Sequence, residues 1–291
     1  MWGQPTADQR SGAGSNMSNR LVSLFASGFR FPEGPAFDRN GNLFVVNVET
    51  GDISKISAEG RVKTFLNTGG APNGAKFHAN GDLYVADRKM GIVAISPNGE
   101  MRVIVDHYQG KKFNGPNDLI FDSRGNLYFT DPHGSSAENP FGCVYRVSSL
   151  GEITCLASGL AFPNGLVLSR NEKYLFVADT RKNRILRYVL DPPVRSYVFS
   201  HLSGGWGPDG MAFDVAGNLY VAHYGGGNVV ILNPEGELIE RISVGGLYPT
   251  NVAFGGPGRT TLYVTEVETG SVYRFNTEYP GLPLYGDTGI G

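Results

Sequence analysis

Short apolar runs recur along this chain between polar breaks that carry glycine. The most regular run reads GNLFVV where it first appears and returns as GDLYVA, GNLYFT, KYLFVA, GNLYVA and TTLYVT. Its leucines are Leu43, Leu83, Leu127, Leu175, Leu219 and Leu262, spaced 40, 44, 48, 44 and 43 residues apart. A second run precedes each of them: FPEGPAFD at 31, APNGAKFH at 71, GPNDLIFD at 115, FPNGLVLS at 162, GPDGMAFD at 207 and YPTNVAFG at 248. A third strand usually follows, as in GIVAISPNGE and GNVVILNPEGE, and a fourth, such as VKTFLNT or MRVIVDH, leads to the next copy. Helical periodicity is absent, which excludes stacked helix pairs. A period of 40 to 48 residues with four short strands in each copy predicts an all-β fold, a β-propeller of six four-stranded antiparallel blades. RLVSLFAS, residues 20–27, reads as a strand with no copy of its own, and little strand-like sequence follows SVYRFNTE at 271–278. The N-terminal strand is therefore expected to complete the last blade from outside and to leave no open sheet edge around the ring.

Composition refines this picture only at its margins. The 41 glycines and 17 prolines follow no Gly-X-Y period and fit the many tight turns of an all-β chain. A net charge of -2 gives no basic field for nucleic acid. No run is long and apolar enough to span a membrane, and the first twenty residues lack the apolar core of a signal peptide, so a cytoplasmic location is expected. Residues 1–19 read as a disordered tail or tag, and 20–291 as a single propeller domain. Cys143 and Cys155 flank the hairpin CVYRVSSLGEITC and are expected to be free thiols, since two cysteines make no disulfide framework.

The candidate chemistry comes from the repeat. The first strand of a propeller blade lines the central channel, so the residue after the proline in each copy should stand near the axis. Those residues are Glu33, Asn73, Asn117, Asn164, Asp209 and Thr250. The second strand runs back to the same mouth and ends at Asn47, Asp87, Asp131, Asp179, His223 and Glu266, an outer ring. Asn and Asp after proline are ordinary turn residues, and the outer acids could equally bond the turns that follow them. Glu33 is a poor turn residue, and six oxygen-bearing side chains on one axis are more than turns require. An oxygen-only set suits a hard cation, Ca²⁺ or another divalent ion, facing Glu33, Asn117, Asn164 and Asp209. Zinc would want nitrogen and sulfur ligands that the set lacks.

With PEGP, PNDL, PNGL and PDGM in this order, the chain resembles the senescence marker protein/gluconolactonase family of six-bladed propellers, with its relatives the calcium-dependent lactonases and diisopropyl fluorophosphatase. The likeness runs from about residue 20 to 280, and GNLYFTDP and LYVTEVETGSVYR add to it. It implies that Glu33, Asn117, Asn164 and Asp209 hold a catalytic calcium and that Asp209 also serves as the base, with Asp118, Asp131 and His223 as alternatives. It implies a small-molecule lactone or ester as substrate, met by Asn73, Asp118, Asp131, His133, His223 and Glu266, with the loop DPHGSSAENPFG (131–142) shaping the pocket. The chain departs from the sugar-lactone members at Gly115, where they can carry an arginine; a less polar lactone or ester follows from that. Hydrolysis of a phosphoryl fluoride on the same site, or ligand binding without catalysis, are the other readings. No Gly-x-Ser-x-Gly elbow occurs, so serine catalysis is not expected.

Overall fold

The computed structural model describes residues 20–287, and the expected tail at 1–19 lies outside them. Six four-stranded antiparallel sheets follow one another as the blades of a propeller. Their inner strands are Pro32–Phe37, Pro72–Phe77, Leu119–Phe121, Pro163–Leu168, Gly207–Phe213 and Pro249–Gly255, here called blades one to six. Inner strands of adjacent blades pack together, and Pro32–Phe37 packs on Pro249–Gly255 to close the ring. The last sheet is completed from the other end of the chain. Ser23–Ser27 pairs antiparallel with Ser271–Asn276, with Ser23 opposite Arg274 and Ser27 opposite Ser271.

The apolar runs lie between blades. Val167 and Phe176 of blade four meet Met211, Phe213 and Val221 of blade five in one cluster, and Ala36, Phe44 and Val46 meet Ala75, Leu83 and Val85 in another. Each fully buried Leu, Val or Phe is worth about 1.5–3 kcal/mol relative to exposure, so the interfaces between blades hold the ring together.

Two local features position the mouth of the channel. Ladder pairing in the inner strands breaks at the proline motif: in blade one it jumps from Glu33–Val46 to Ala36–Phe44. The same irregularity recurs in blades two, four, five and six. A bulge leaves residues unpaired and re-aims neighbouring side chains, and each of these breaks lies at or beside the residue after the proline. Secondly, a Cβ added to Gly34 would lie 2.3 Å from the carbonyl oxygen of Asn73, and one on Gly165 would lie 2.3 Å from that of Asp209. These glycines let the next blade's backbone come close enough to carry its ring residue to the axis.

Blade three departs from the pattern. Its inner strand is only three residues, Leu119–Phe121, and a small hairpin pairing His107–Tyr108 with Lys111–Lys112 precedes it. The C-terminal segment covers the far end of the channel, where Leu282 and Leu284 join Phe37, Phe77, Phe213 and Phe254 around a cavity of about 60 Å³. Cys143 and Cys155 are free thiols. Among the described residues no helix is long and apolar enough to cross a membrane.

Candidate active site

Glu33, Asn73, Asn117, Asn164 and Asp209 line one cavity of about 180 Å³ at the channel mouth. Thr250, the sixth of that ring, is turned aside. Its hydroxyl lies 2.8 Å from the Pro32 carbonyl and 2.8 Å from the Thr265 hydroxyl, tying blade six to blade one.

Three oxygens in the inner ring are buried and meet no donor: Asn73 Oδ1, Asn117 Oδ1 and Asp209 Oδ1. A buried acceptor without a partner costs about 1–3 kcal/mol, more when charged, and native structures hold few of them. Glu33 Oε2 accepts from the Gly34 amide at 2.9 Å and from Asn251 Nδ2 at 3.1 Å. The same Asn251 amide reaches Asp118 Oδ2 at 3.3 Å. Blades three and six are opposite members of the ring, so this contact spans the axis. It is possible because residues 118 and 251 replace the glycine that follows the ring residue elsewhere. A Cβ on Gly74 would lie 2.3 Å from Asp118 Oδ1, and one on Gly210 2.1 Å from the Asn251 side chain.

The charges are strongly coupled. Burial, and after it the charge on Asp118, pushes the Glu33 carboxyl up to about 7. Burial together with repulsion from Glu33 and Asp118 holds Asp209 well above the ordinary carboxylate range. Burial raises Asp118 as well, against the pull of Lys76, whose Nζ lies 3.9 Å from Asp118 Oδ1. Three carboxylates are thus crowded into a closed channel, a costly arrangement without a matching cation. Among the described residues no three His, Cys, Asp or Glu side chains converge as a metal set, so an ion here must also take amide oxygens. The orphaned acceptors and the all-oxygen chemistry fit a hard divalent cation of calcium type.

The outer ring is differently employed. Asp131 accepts from the Asn114 and Gly115 amides at 3.0 and 2.7 Å. Asp87 accepts from the amides of Ala71, Lys89 and Met90, and Asp179 from Ala161, with an ion pair to Arg184 at 2.8 Å. Glu266 takes the amides of Tyr248, Glu268 and Thr269, and Asn47 that of Arg30. Each therefore pins the loop that enters its own blade. His223 is buried against Gly205 and Gly226. Burial, with the nearby Arg241 charge, lowers it from its ordinary 6.5 to about 4, so it stays neutral at pH 7. None of Asp118, Asp131, His133, His223 and Glu266 is on the cavity wall. His133 is exposed.

The rest of the wall comes from residues that the repeat did not single out: Phe31, Arg88, Phe162, Thr180, Arg181, Trp206 and Tyr224. Arg88, Thr180 and Tyr224 each follow an outer-ring residue by one position. Phe31 and Phe162 precede the motif proline with φ of 54° and 68°, a conformation rare for a bulky side chain.

Residues 31–268 match the family model described as SMP-30/Gluconolactonase/LRE-like region. The chain belongs to this family. Among its relatives, the diisopropyl-fluorophosphatase of Loligo vulgaris is 29% identical over 88% of this chain and 92% of its own. The gluconolactonase of Zymomonas mobilis is 32% identical over 82% of this chain and 77% of its own. A gluconolactonase structure from Xanthomonas campestris superposes with a TM-score of 0.80 at 23% identity, over 90% of this chain and 91% of that one, a likeness of fold. Beside this mouth stands Gly115. A Cβ there would lie 2.8 Å from His133 Cβ and 3.5 Å from Arg88 Cβ, so close packing excludes any side chain.

Proposed function

We propose that the chain is a calcium-dependent hydrolase of a lactone or related cyclic ester. The observation that carries this reading is the set of three partnerless buried oxygens beside Glu33 in one cavity, on Asn73, Asn117 and Asp209. Glu33, Asn117, Asn164 and Asp209 would hold the ion, with Asn73 within the same cavity. When bound, a divalent cation supplies a Lewis acid for the ester carbonyl and for the oxygen that gains charge.

This chain's own residues do the rest. Asp209 accepts a proton from the attacking water as the water oxygen bonds to the carbonyl carbon. The ring carbon–oxygen bond then breaks, and the departing oxygen receives that proton, giving a hydroxy acid. Asn251 holds Glu33 and Asp118 in place from below through its two hydrogen bonds. Phe31, Phe162, Trp206 and Tyr224 line the mouth with aromatic surface, which favours an organic ring over a heavily hydroxylated one. The names of the relatives support lactone hydrolysis, and the likeness to the diisopropyl-fluorophosphatase of Loligo vulgaris supports a second reading, cleavage of a phosphoryl fluoride on the same residues.

The test is a panel of lactones, aryl esters and one phosphoryl fluoride, followed by acid release with calcium and with a chelator. Calcium-dependent release from a lactone is the expected result. Release from the fluoride alone would favour the second reading, and no release from any of them would leave a ligand-binding propeller.

A further inference from the structure

Arg88 is the unabsorbed charge of the cavity. It stands on the wall with Glu33 and Asp209, both of which feel its positive charge. Yet its guanidinium makes no hydrogen bond or ion pair with any described residue. Gly115, packed beside its Cβ just behind the wall, offers no side chain to pair with it. Arg181, the other arginine of the wall, is differently engaged. It lies over the rings of Phe162 and Trp206, at 5.6 and 5.7 Å, and feels the carboxylate of Glu138.

Blades two and five are opposite members of the ring, so Arg88 faces the aromatic side of the mouth across the axis. There Trp206, Tyr224 and Tyr248 pack at 5.0–6.2 Å between ring centroids. A divalent ion together with Lys76 would offset the three buried carboxylates, which leaves the Arg88 guanidinium as net positive charge directed into the cavity. A planar fork of five donors is matched by a carboxylate, which it binds through two parallel hydrogen bonds.

We propose that the pocket selects a lactone bearing a carboxylate substituent, with the carboxylate on Arg88 and the apolar part of the ring against Trp206 and Tyr224. The inference rests on the hydrolase reading above and adds its substrate class. It also gives the mouth a cationic group despite the glycine at 115, supplied from the neighbouring blade.

Two matched probes test it. γ-Carboxy-γ-butyrolactone and γ-methyl-γ-butyrolactone differ only in the group on one ring carbon. The calcium-loaded protein should prefer the carboxylate by kcat/KM, and Arg88→Gln should reduce that preference about tenfold or more, mainly through KM. Arg88→Lys, which keeps the charge but not the fork, should restore part of it. A preference unchanged in Arg88→Gln, or a wild-type preference for the methyl compound, overturns the proposal. A readout independent of turnover is calorimetric binding of α-hydroxyglutarate, the ring-opened product of the carboxylate probe. Its affinity should fall about tenfold or more in Arg88→Gln, and an equal affinity in both proteins overturns the proposal. If neither lactone is cleaved while α-hydroxyglutarate still binds through Arg88, the hydrolase reading fails and the anion site stands.

Discussion

Asp209 and Glu266 belong to neighbouring blades, both carboxylates are buried, and both stand at the same end of the channel. Glu266 accepts from three backbone amides and the Thr269 hydroxyl. Asp209 Oδ1 meets no donor at all. Two charges that a sequence pattern treats alike are thus in opposite conditions: one has been solvated by the chain, the other left for something the chain must bind. The difference lies in where each strand ends. An outer-ring residue arrives just as the backbone turns, among free amides that need acceptors. An inner-ring residue projects into the channel, where amides are fewer: Glu33 takes the Gly34 amide and Asn251 Nδ2, while Asp209 Oδ1, Asn73 Oδ1 and Asn117 Oδ1 meet no donor. Polar burial alone therefore does not mark a site; several unsatisfied oxygens converging on one cavity do.

That contrast can be broken from either side. The largest effect is expected at Asp209. Asp209→Asn keeps an oxygen on the axis and removes the base, so kcat on the best lactone should fall by about 10²-fold or more at saturating calcium. Near-normal turnover with metal bound would move the base elsewhere, with Asp118 the next candidate.

Glu33→Gln should reverse its sign with calcium. Ligand binding to the folded state adds about 2.7 kcal/mol at a hundredfold excess over Kd, and the variant should lose most of that gain in melting temperature. Without calcium the outcome inverts. The Glu33 carboxyl is pushed from 4.5 up to about 7 in the fold, so the folded state binds more protons across that window. Metal-free stability should then fall as pH rises through it. Glu33→Gln abolishes this slope and should be the more stable protein at pH 8. Calcium-induced stabilisation equal to wild type would remove Glu33 from the ligand set.

Glu266→Gln tests the other ring. It turns acceptors of amide hydrogen bonds into a mismatched amide and should cost about 1–3 kcal/mol in denaturant unfolding, with calcium affinity retained. Loss of calcium affinity without loss of stability would dissolve the distinction between the rings.

The smallest effect is expected at His223, and only in acid. Its folded value near 4 lies below its ordinary 6.5, so the unfolded chain binds the extra proton between those values. Its contribution to stability is complete above pH 6.5 and declines as pH falls toward 4. His223→Gln should flatten the wild-type stability profile in that window, by an amount on the order of 1 kcal/mol. An unchanged profile would mean that the buried ring is protonated without penalty.

The architecture was legible because a propeller repeats its signal six times. Leucine spacing gave the blades, the position after proline gave the axis, and the missing outer strand gave the closure at Ser23–Ser27. The five inner-ring oxygens of the cavity followed from one offset applied to every copy. Three wall residues escaped for an equally simple reason. Arg88, Thr180 and Tyr224 stand one position beyond Asp87, Asp179 and His223, and in a strand one position reverses the face. The apolar runs end at the outer-ring residues, so the eye stops a residue short of the cavity. Trp206 comes from a Gly-Gly loop that copies two and six share, but there Ala71 and Leu247 follow the glycines, so no shared pattern marks the tryptophan. The Asn251–Asp118 contact joins residues 133 positions apart, and no local pattern carries that information. Its trace in the sequence is a substitution: Asp118 and Asn251 stand where Gly34, Gly74, Gly165 and Gly210 stand in the other four copies.

The closing strand has a consequence for how the molecule comes into being. Ser23–Ser27 leaves the ribosome before the strands of every blade, and its partner, Ser271–Asn276, only after the first five blades are made. Five blades can be assembled from contiguous chain as synthesis proceeds, each from strands already made. The sixth cannot, and until it forms, the N-terminal strand has no ladder to join and the Pro32–Phe37 strand has one flank uncovered. Circular closure makes the final step a long-range one, with the entropy of a chain-length loop to overcome. The ring is thus locked by a single antiparallel clasp, between segments that lie 251 residues apart at Ser23 and Arg274.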